Sequence, residues 1–219
     1  MDMKEAMHQR HMVRCYMDKP LSADIVGRLE ARMKENNEKY GVFIELKTED
    51  TSAFHAVVRR ILAKGVRNFF IMAGNSTPNL EERLGYCGAD LMLYAQTLGL
   101  NTWWVGGTFN KRLMTEVVSS DIVVGVIAVG YGQNQGVPHK TKTAKQVSSY
   151  KGEAPEWFKD GIEAALLAPT ALAKQAFMIK GRGNQVSISC KNGIFTGVDT
   201  GLVKYHFELG AGKDKFEWV

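Results

Sequence analysis

Residues 85–105 read GYCGADLMLYAQTLGLNTWWV, and this stretch decides how the chain folds. Between residues 84 and 100, apolar side chains fall on nearly every side of a helical projection. A surface helix has one apolar stripe, whereas a helix that is apolar all round is buried. The segment 84–100 is therefore predicted to be a helix that other elements surround on most sides.

The C-terminal stretch 199–219, DTGLVKYHFELGAGKDKFEWV, follows the same order as residues 85–105. Both contain a glycine, an apolar helix, a glycine break and a final Trp-Val pair. Upstream, residues 21–33 and 154–170 each predict a helix with one apolar stripe, and each is followed by a strand, VFIEL or AFMIK. These parallels predict an internal duplication within one chain. The second copy has no equivalent of the basic segment 10–14, so one anion site per chain is expected.

The remaining elements follow from local patterns. Residues 121–132 form a long apolar run, which is typical of a strand at the centre of a sheet. The polar and basic segment 133–155 is predicted to be a loop or connection. Further strands are predicted at 67–74 and 185–189, and further helices at 3–13 and 52–65.

Composition sets the outer bounds. The chain has 219 residues, of which 45% are hydrophobic, enough for one sizeable core or two intertwined halves. The net charge of +5 permits binding to anions, including nucleic acid, but the charges are scattered. The three cysteines lie far apart without zinc spacing, and no apolar run approaches the roughly 20 residues of a membrane span. A soluble cytoplasmic protein with reduced thiols and no metal is expected.

Two basic segments are candidates for binding an anion. In RHMVR (10–14), Arg10, His11 and Arg14 could reach one phosphate or one electron-rich ring edge. The alternative is a solvated helix end whose cations complement the helix dipole. In VPHKTKTAK (137–145), Lys140 and Lys142 alternate, so an extended backbone would point both to one side as a phosphate clamp. The alternative there is a solvated loop.

Two further segments could contact a flat ligand. Gly106 and Gly107 would let the backbone approach such a ligand closely. The preceding residues Trp103 and Trp104 could stack on it, although core packing is the more common role of tryptophan. Pro169 ends a helix and leaves the Thr170 hydroxyl free at a turn, unless this is an ordinary helix stop. Three histidines have no evident partner and are interpreted as structural or surface residues: His55, His139 and His206.

Together these segments resemble the FMN-dependent nitroreductase family, and especially its putative nitroreductase subgroup with a duplicated core in one chain. RHMVR resembles the family's Arg-[Arg/His]-Ser-x-[Arg/Lys] motif, and residues 85–109 resemble its Leu-Gly-Leu-x-x-x-Trp-x-Gly-Gly signature. VIAVGYGQ resembles the central strand that ends in Ile-Gly-Tyr-Pro, and HKTK resembles the basic element after it. APTALAKQAF resembles the Ala-Pro-Ser-x-x-Asn-x-Gln-Pro-Trp segment. Three positions depart from these motifs: Met12 replaces Ser, Ala173 replaces Asn, and Gly132 replaces Pro.

The resemblance implies an FMN site built from several segments. Arg10 would meet the phosphate or ribityl region, and Arg14 would lie at the N1/O2 edge of the ring and stabilise the anionic reduced form. Lys140 and Lys142 would hold the phosphate. The implied cofactor-binding residues are Arg10, His11, Met12, Arg14, Trp104, Gly106, Gly107, Lys140, Lys142, Pro169 and Thr170.

The resemblance also implies the architecture. The expected fold is α+β, with a central mixed sheet flanked by helices. In the family the Ala-Pro-Ser segment reaches the flavin from a partner subunit, whereas here it lies in the second half of the same chain. An intrachain pseudo-dimer is therefore expected, with the main flavin motifs in residues 1–150 and a degenerate half in 151–219, intertwined as one globular unit. Such a chain could function as a monomer.

The implied activity is hydride transfer from NADH or NADPH to FMN N5, followed by reduction of a nitroaromatic, a quinone or another electron-poor ring. No side-chain acid or base is required, because the cofactor carries the reaction. The alternative is a flavin-binding module with little turnover, used for storage or sensing. A nucleic-acid binder would need a clustered basic face with interleaved aromatic residues, which the sequence lacks.

Overall fold

The computed structural model describes residues 1–118 and 120–219. The helices are α1 (Met3–Gln9), α2 (Ala23–Tyr40), α3 (Ala56–Ile61), α4 (Leu80–Thr97), α5 (Lys111–Val118), α6 (Ala144–Val147), α7 (Glu156–Ala165) and α8 (Thr196–Ala211). The strands are β1 (Phe43–Lys47), β2 (Phe69–Gly74), β3 (Asn101–Val105), β4 (Ile122–Gly130), β5 (Ser148–Tyr150), β6 (Phe177–Arg182), β7 (Gln185–Cys190) and β8 (Glu217–Trp218). A short 3₁₀ turn spans Ala171–Ala173.

The strands form two four-stranded sheets rather than the single central sheet that was predicted. The first has the order β1-β2-β4-β3 and is antiparallel throughout. The second has the order β5-β6-β7-β8, with an antiparallel central pair and parallel outer pairs. Strands β6 and β7 pair locally through a turn at Gly183, whose φ of 57° suits glycine, so the second half builds its own sheet. The α+β class is confirmed.

Helix α4 lies at the centre of the molecule, as its sequence predicts. Its buried residues pack against the first sheet, α2 and α8 in one core cluster. Glycines allow α4 and α8 to approach closely: a Cβ on Gly85 would lie 2.2 Å from the Val198 carbonyl oxygen, and one on Gly201 would lie 1.9 Å from that of Glu82. The two halves therefore share a helix interface rather than forming separate globules.

The two halves of the chain have similar, but not identical, orders of elements. The series are α2-β1-α3-β2-α4-β3 and α7-β6-β7-α8-β8. Each contains an antiparallel strand pair and then a strand that runs parallel to the second strand of that pair, but only the first series has a helix, α3, between the paired strands. In the first sheet β4 lies between β2 and β3, whereas β7 and β8 pair directly. The common origin of the halves and the boundary at residue 150 stay predictions.

Three predicted elements were wrong in extent. The first helix ends at Gln9, so RHMVR is extended chain, and Met12 forms a parallel bridge with Thr102 beside β3. The helix predicted at 52–65 covers only Ala56–Ile61 and has no buried side chain. The loop predicted at 133–155 contains α6 and β5, because Ser148–Tyr150 finds a parallel partner in β6.

Candidate functional site

A cavity of about 660 Å³ opens where the two halves meet, and we call it the larger cavity. Its volume lies within the roughly 300–1,000 Å³ of typical small-molecule sites. Its wall comes from residues 10–14, 103–108, 137–139, 169–173 and 195–202, with Leu62 at one side. All the predicted cofactor-binding residues line it except Lys140 and Lys142. The fold therefore brings distant motifs to one opening.

Arg10 lies between the larger cavity and a second cavity of about 280 Å³, the smaller cavity. The side chain is 5% exposed. Burial lowers the pKa of Arg10 to about 10, and no carboxylate among the described residues offsets this effect. The guanidinium is thus a cation at neutral pH, desolvated and without an ion-pair partner in the described chain. A buried charge is costly unless it is paired, so this position favours a bound anion.

Arg14 has a different environment at the mouth of the larger cavity. Its guanidinium lies over the Trp103 ring, 5.0 Å from the ring centroid, and Trp103 stacks in turn on Phe54. The cation–π contact fixes the orientation of an otherwise exposed cation. The structure thus separates the two arginines of RHMVR into one buried and one exposed position, neither of which is the solvated helix end considered above.

Trp104 near the end of β3 and the two glycines after this strand have different surroundings. Trp104 packs against α4, where a Cβ on Gly88 would lie 2.2 Å from its ring, so core packing explains much of this residue. At Gly106 a side chain would collide with Phe195, because an added Cβ would lie 2.4 Å from the Phe195 ring. Gly107 has open space beside it. Packing thus explains Gly106, while the space beside Gly107 is open to a ligand.

The predicted phosphate clamp of Lys140 and Lys142 is not formed. Lys140 is exposed and lines neither cavity. The Lys142 ammonium donates to the Gln175 carbonyl oxygen at 2.8 Å, and the Lys142 backbone N–H donates to the Gln175 side-chain oxygen at 2.7 Å. The fully buried Gln175 thus holds the basic segment against the chain that follows α7, and Lys142 lines neither cavity.

His139 belongs to the site, although its sequence context indicated a structural or surface role. It lines both cavities. Its Nε2 atom lies 3.1 Å from the Leu166 carbonyl oxygen and 3.1 Å from the Gln175 side-chain nitrogen. Burial, followed by the charges of Arg10 and His139, lowers the pKa of His11 beside it. Because of this shift, His11 contributes less positive charge to this end of the cavity than Arg10 does.

The segment 170–175, of which residues 170–173 line the larger cavity, forms a strained wall. Leu172, Ala173 and Gln175 have φ values of 53°, 52° and 45°, a left-handed conformation that side chains other than glycine rarely adopt. The Thr170 hydroxyl accepts a hydrogen bond from the Gln175 N–H at 3.0 Å, so it is not free as predicted, but its own proton can still be donated. Such strain clusters at ligand clamps and active sites.

Asp199 is a site residue that the sequence motifs did not indicate. It is the carboxylate that lines the larger cavity among the described residues, and it accepts a hydrogen bond from the Ala171 N–H at 2.8 Å. Burial raises the pKa of Asp199 to about 6. Asp199 lies in the first turn of α8. The sequence pattern of residues 199–219 predicted an internal duplication and gave no role to this carboxylate. Asp199 therefore anchors the strained wall.

Solved structures share this fold. A putative nitroreductase from Thermotoga maritima superposes with a TM-score of 0.71 at 18% identity, covering 98% of this chain and 85% of the other. A putative nitroreductase from Desulfovibrio desulfuricans, solved in complex with FMN, gives 0.52 at 16% identity over 67% and 95%. A putative NADH dehydrogenase/NAD(P)H nitroreductase from Bacteroides thetaiotaomicron gives 0.53 at 16% identity over 66% and 95%. The fold is that of the nitroreductases.

The family model described as "Putative TM nitroreductase" matches residues 2–211, and the chain belongs to this family. The class is therefore a nitroreductase-like oxidoreductase, as the sequence motifs predicted. No curated protein matches the chain. In the described part of the chain, no helix is long and apolar enough to span a bilayer, and no group of three or more histidine, cysteine or acidic residues is arranged to hold a metal ion.

Proposed function

We propose that the protein binds FMN in the larger cavity and uses NADH or NADPH to reduce electron-poor rings such as nitroaromatics or quinones. Family membership supports the class of activity, and the FMN complex of a protein with this fold supports the cofactor. The observation that carries the proposal is the buried Arg10 guanidinium between the two cavities, which has no ion-pair partner in the described chain.

The residues present suit such a cofactor. An anion beside Arg10 would offset the desolvation of its guanidinium, so we assign the phosphate to Arg10. The lysine pair was predicted to share that role, but the Lys142 ammonium is engaged with Gln175. Arg14 would hold the ring edge, with Gly107 and the Thr170 hydroxyl proton offering further donors. Met12 provides no hydroxyl, and one neutral hydrogen bond contributes only about 0.5–1.5 kcal/mol.

Bound FMN supplies the hydride chemistry, and the protein supplies position and electrostatics. The chain's own contribution to reduction is the fixed charge of Arg14, because a preorganised cation stabilises negative charge that develops beside it. The stacking of Arg14 on Trp103 holds the charge in place before the reaction. Asp199 is committed to the Ala171 N–H and keeps the cavity wall in position.

Steady-state oxidation of NADH and NADPH by the FMN-loaded protein tests this function. We expect consumption that depends on an added quinone or nitroaromatic, and a lower kcat in the Arg14→Met variant. Arg28→Met is a matched control, because Arg28 is exposed on α2 and lines neither cavity. Tight FMN binding without NAD(P)H oxidation for any acceptor would contradict the enzyme and favour a flavin-binding module.

A further inference from the structure

Large apolar side chains surround the mouth of the larger cavity and face solvent. Met12 is 46% exposed, Leu62 37%, Val137 78% and Leu172 84%, and all four line the opening. We call these four residues the apolar rim. Single exposed apolar residues are ordinary, but these come from four separate segments and meet at one entrance. Apolar surface concentrated in this way indicates a binding site.

The backbone holds Leu172 outward against its own preference. Leu172 has a left-handed φ of 53°, and the loop is fixed on one side by the Ala171 N–H bond to Asp199 and on the other by the Gln175 N–H bond to Thr170. At 84% exposure the side chain contributes little to the core. Core packing of the side chain therefore does not account for its outward position, which leaves Leu172 available to contact a ligand at the mouth.

The polarity of the cavity changes from its interior to its mouth. Arg10 and His139 lie inside, and Asp199 is the carboxylate on the wall among the described residues. The four rim side chains carry no charge, and Arg14, the cation at the mouth, is stacked on Trp103. A ligand that matches this gradient has a polar ring for the interior and an aliphatic chain for the entrance.

We propose that the apolar rim binds the aliphatic side chain of the electron acceptor, so that the preferred acceptors are electron-poor rings with an alkyl tail, such as alkylated quinones. The ring part of this inference rests on the proposed function, while the tail site rests on the rim alone. A second protein copy would need about 800 Å² per partner and some 20 residues a side. Four side chains around a concave opening fit a run of methylene groups better.

Binding of para-alkylphenols to the FMN-loaded protein tests the tail site without turnover, because phenols are not electron acceptors. We would measure Kd by calorimetry for phenol, 4-ethylphenol, 4-butylphenol and 4-hexylphenol below their aggregation limits. A fully buried methylene strengthens binding about fourfold. We expect a gain of about two- to fourfold for each methylene.

Two substitutions then locate the tail. Leu172→Asn suits the left-handed backbone and Val137→Thr keeps the side-chain shape, so both variants should fold, which thermal unfolding checks. Each should at least halve the gain per methylene on a logarithmic scale. Val117→Thr is the control, because Val117 is 39% exposed on α5 and lines neither cavity; it should leave the gain unchanged.

Several results would overturn the tail site. They are no binding of any phenol, no dependence on tail length, an equal gain in both rim variants and the wild type, or a wild-type dimer in light scattering that both rim substitutions dissociate. Failure of the proposed function is separate: it would appear as loss of FMN binding. A tail-length gain that the rim variants reduce in flavin-free protein would then still support the tail site.

Discussion

Replacing Arg10 by methionine should have opposite effects on the empty and the FMN-bound protein. Burial lowers the pKa of Arg10 to about 10, which corresponds to an upper bound of about 3 kcal/mol of unfavourable free energy in the folded state. The sign follows from the direction of the shift. The folded pKa lies below the unfolded value, so the penalty is fully present at neutral pH and is relieved only as pH rises through about 10.

Methionine has a similar length and no charge to desolvate. We therefore expect the flavin-free Arg10→Met variant to be more stable than the wild type by about 1–3 kcal/mol, or roughly 2–4 °C in Tm for each kcal/mol. FMN affinity should fall, because charge-assisted hydrogen bonds contribute about 1.5–3 kcal/mol, or roughly 10- to 150-fold in Kd.

Thermal unfolding with and without FMN measures both effects. Arg28→Met is again the control, because its exposed guanidinium carries no burial penalty and lies outside both cavities. It should change neither stability nor FMN affinity by more than a few tenths of a kcal/mol. If Arg10→Met lowers the stability of the flavin-free protein and binds FMN as tightly as the wild type, Arg10 is a structural residue and the phosphate assignment is refuted.

Three further predictions concern the framework of the site. Gln175→Leu would remove the side-chain partner of the Lys142 N–H and of the Leu166 carbonyl oxygen, and chemical denaturation should show a loss of about 2–4 kcal/mol; an unchanged denaturation midpoint would argue against this role. Gly85→Ala should destabilise the protein by at least 1–3 kcal/mol in the same assay because its Cβ would meet α8 backbone, whereas Gly107→Ala, with open space around it, should have little effect on stability. Burial raises the pKa of Asp199 to about 6, so the folded state holds this proton more tightly and the burial penalty is relieved as pH falls from above 6 toward 4. Asp199→Asn keeps an acceptor for the Ala171 N–H and should raise Tm relative to the wild type at pH 7 more than at pH 4; an equal difference at both pH values would rule out this titration.

The buried central helix α4 and the family-like motifs that line the larger cavity could both be recognised in the sequence, because both depend on strong local signals. An apolar surface all round α4 permits only a buried position, and the signature segments occur together in few families. The family and the α+β class are confirmed. The division into two sheets was not predicted, because strand periodicity shows that a strand exists but not which strand it pairs with.

The details of the site were harder to predict for a related reason. Lys142 and Gln175 are 33 residues apart, and nothing in either local sequence indicates that one side chain will hold the other. Asp199 likewise acts through the backbone of a distant loop. Gly106 was predicted to allow a ligand to approach the backbone, but in the structure the ring of Phe195 occupies the space beside it. Each of these depends on long-range packing, whereas Arg10 and Arg14 belonged to one compact motif.

The central claim is that the larger cavity is an FMN site centred on Arg10, with one site per chain. Titration of flavin-free protein with FMN, followed by the quenching of flavin fluorescence, tests it most directly. We expect saturation at one FMN per chain in the wild type and a Kd that rises at least tenfold in Arg10→Met. Failure of the wild type to bind FMN, or a Kd that Arg10→Met leaves unchanged, would contradict it.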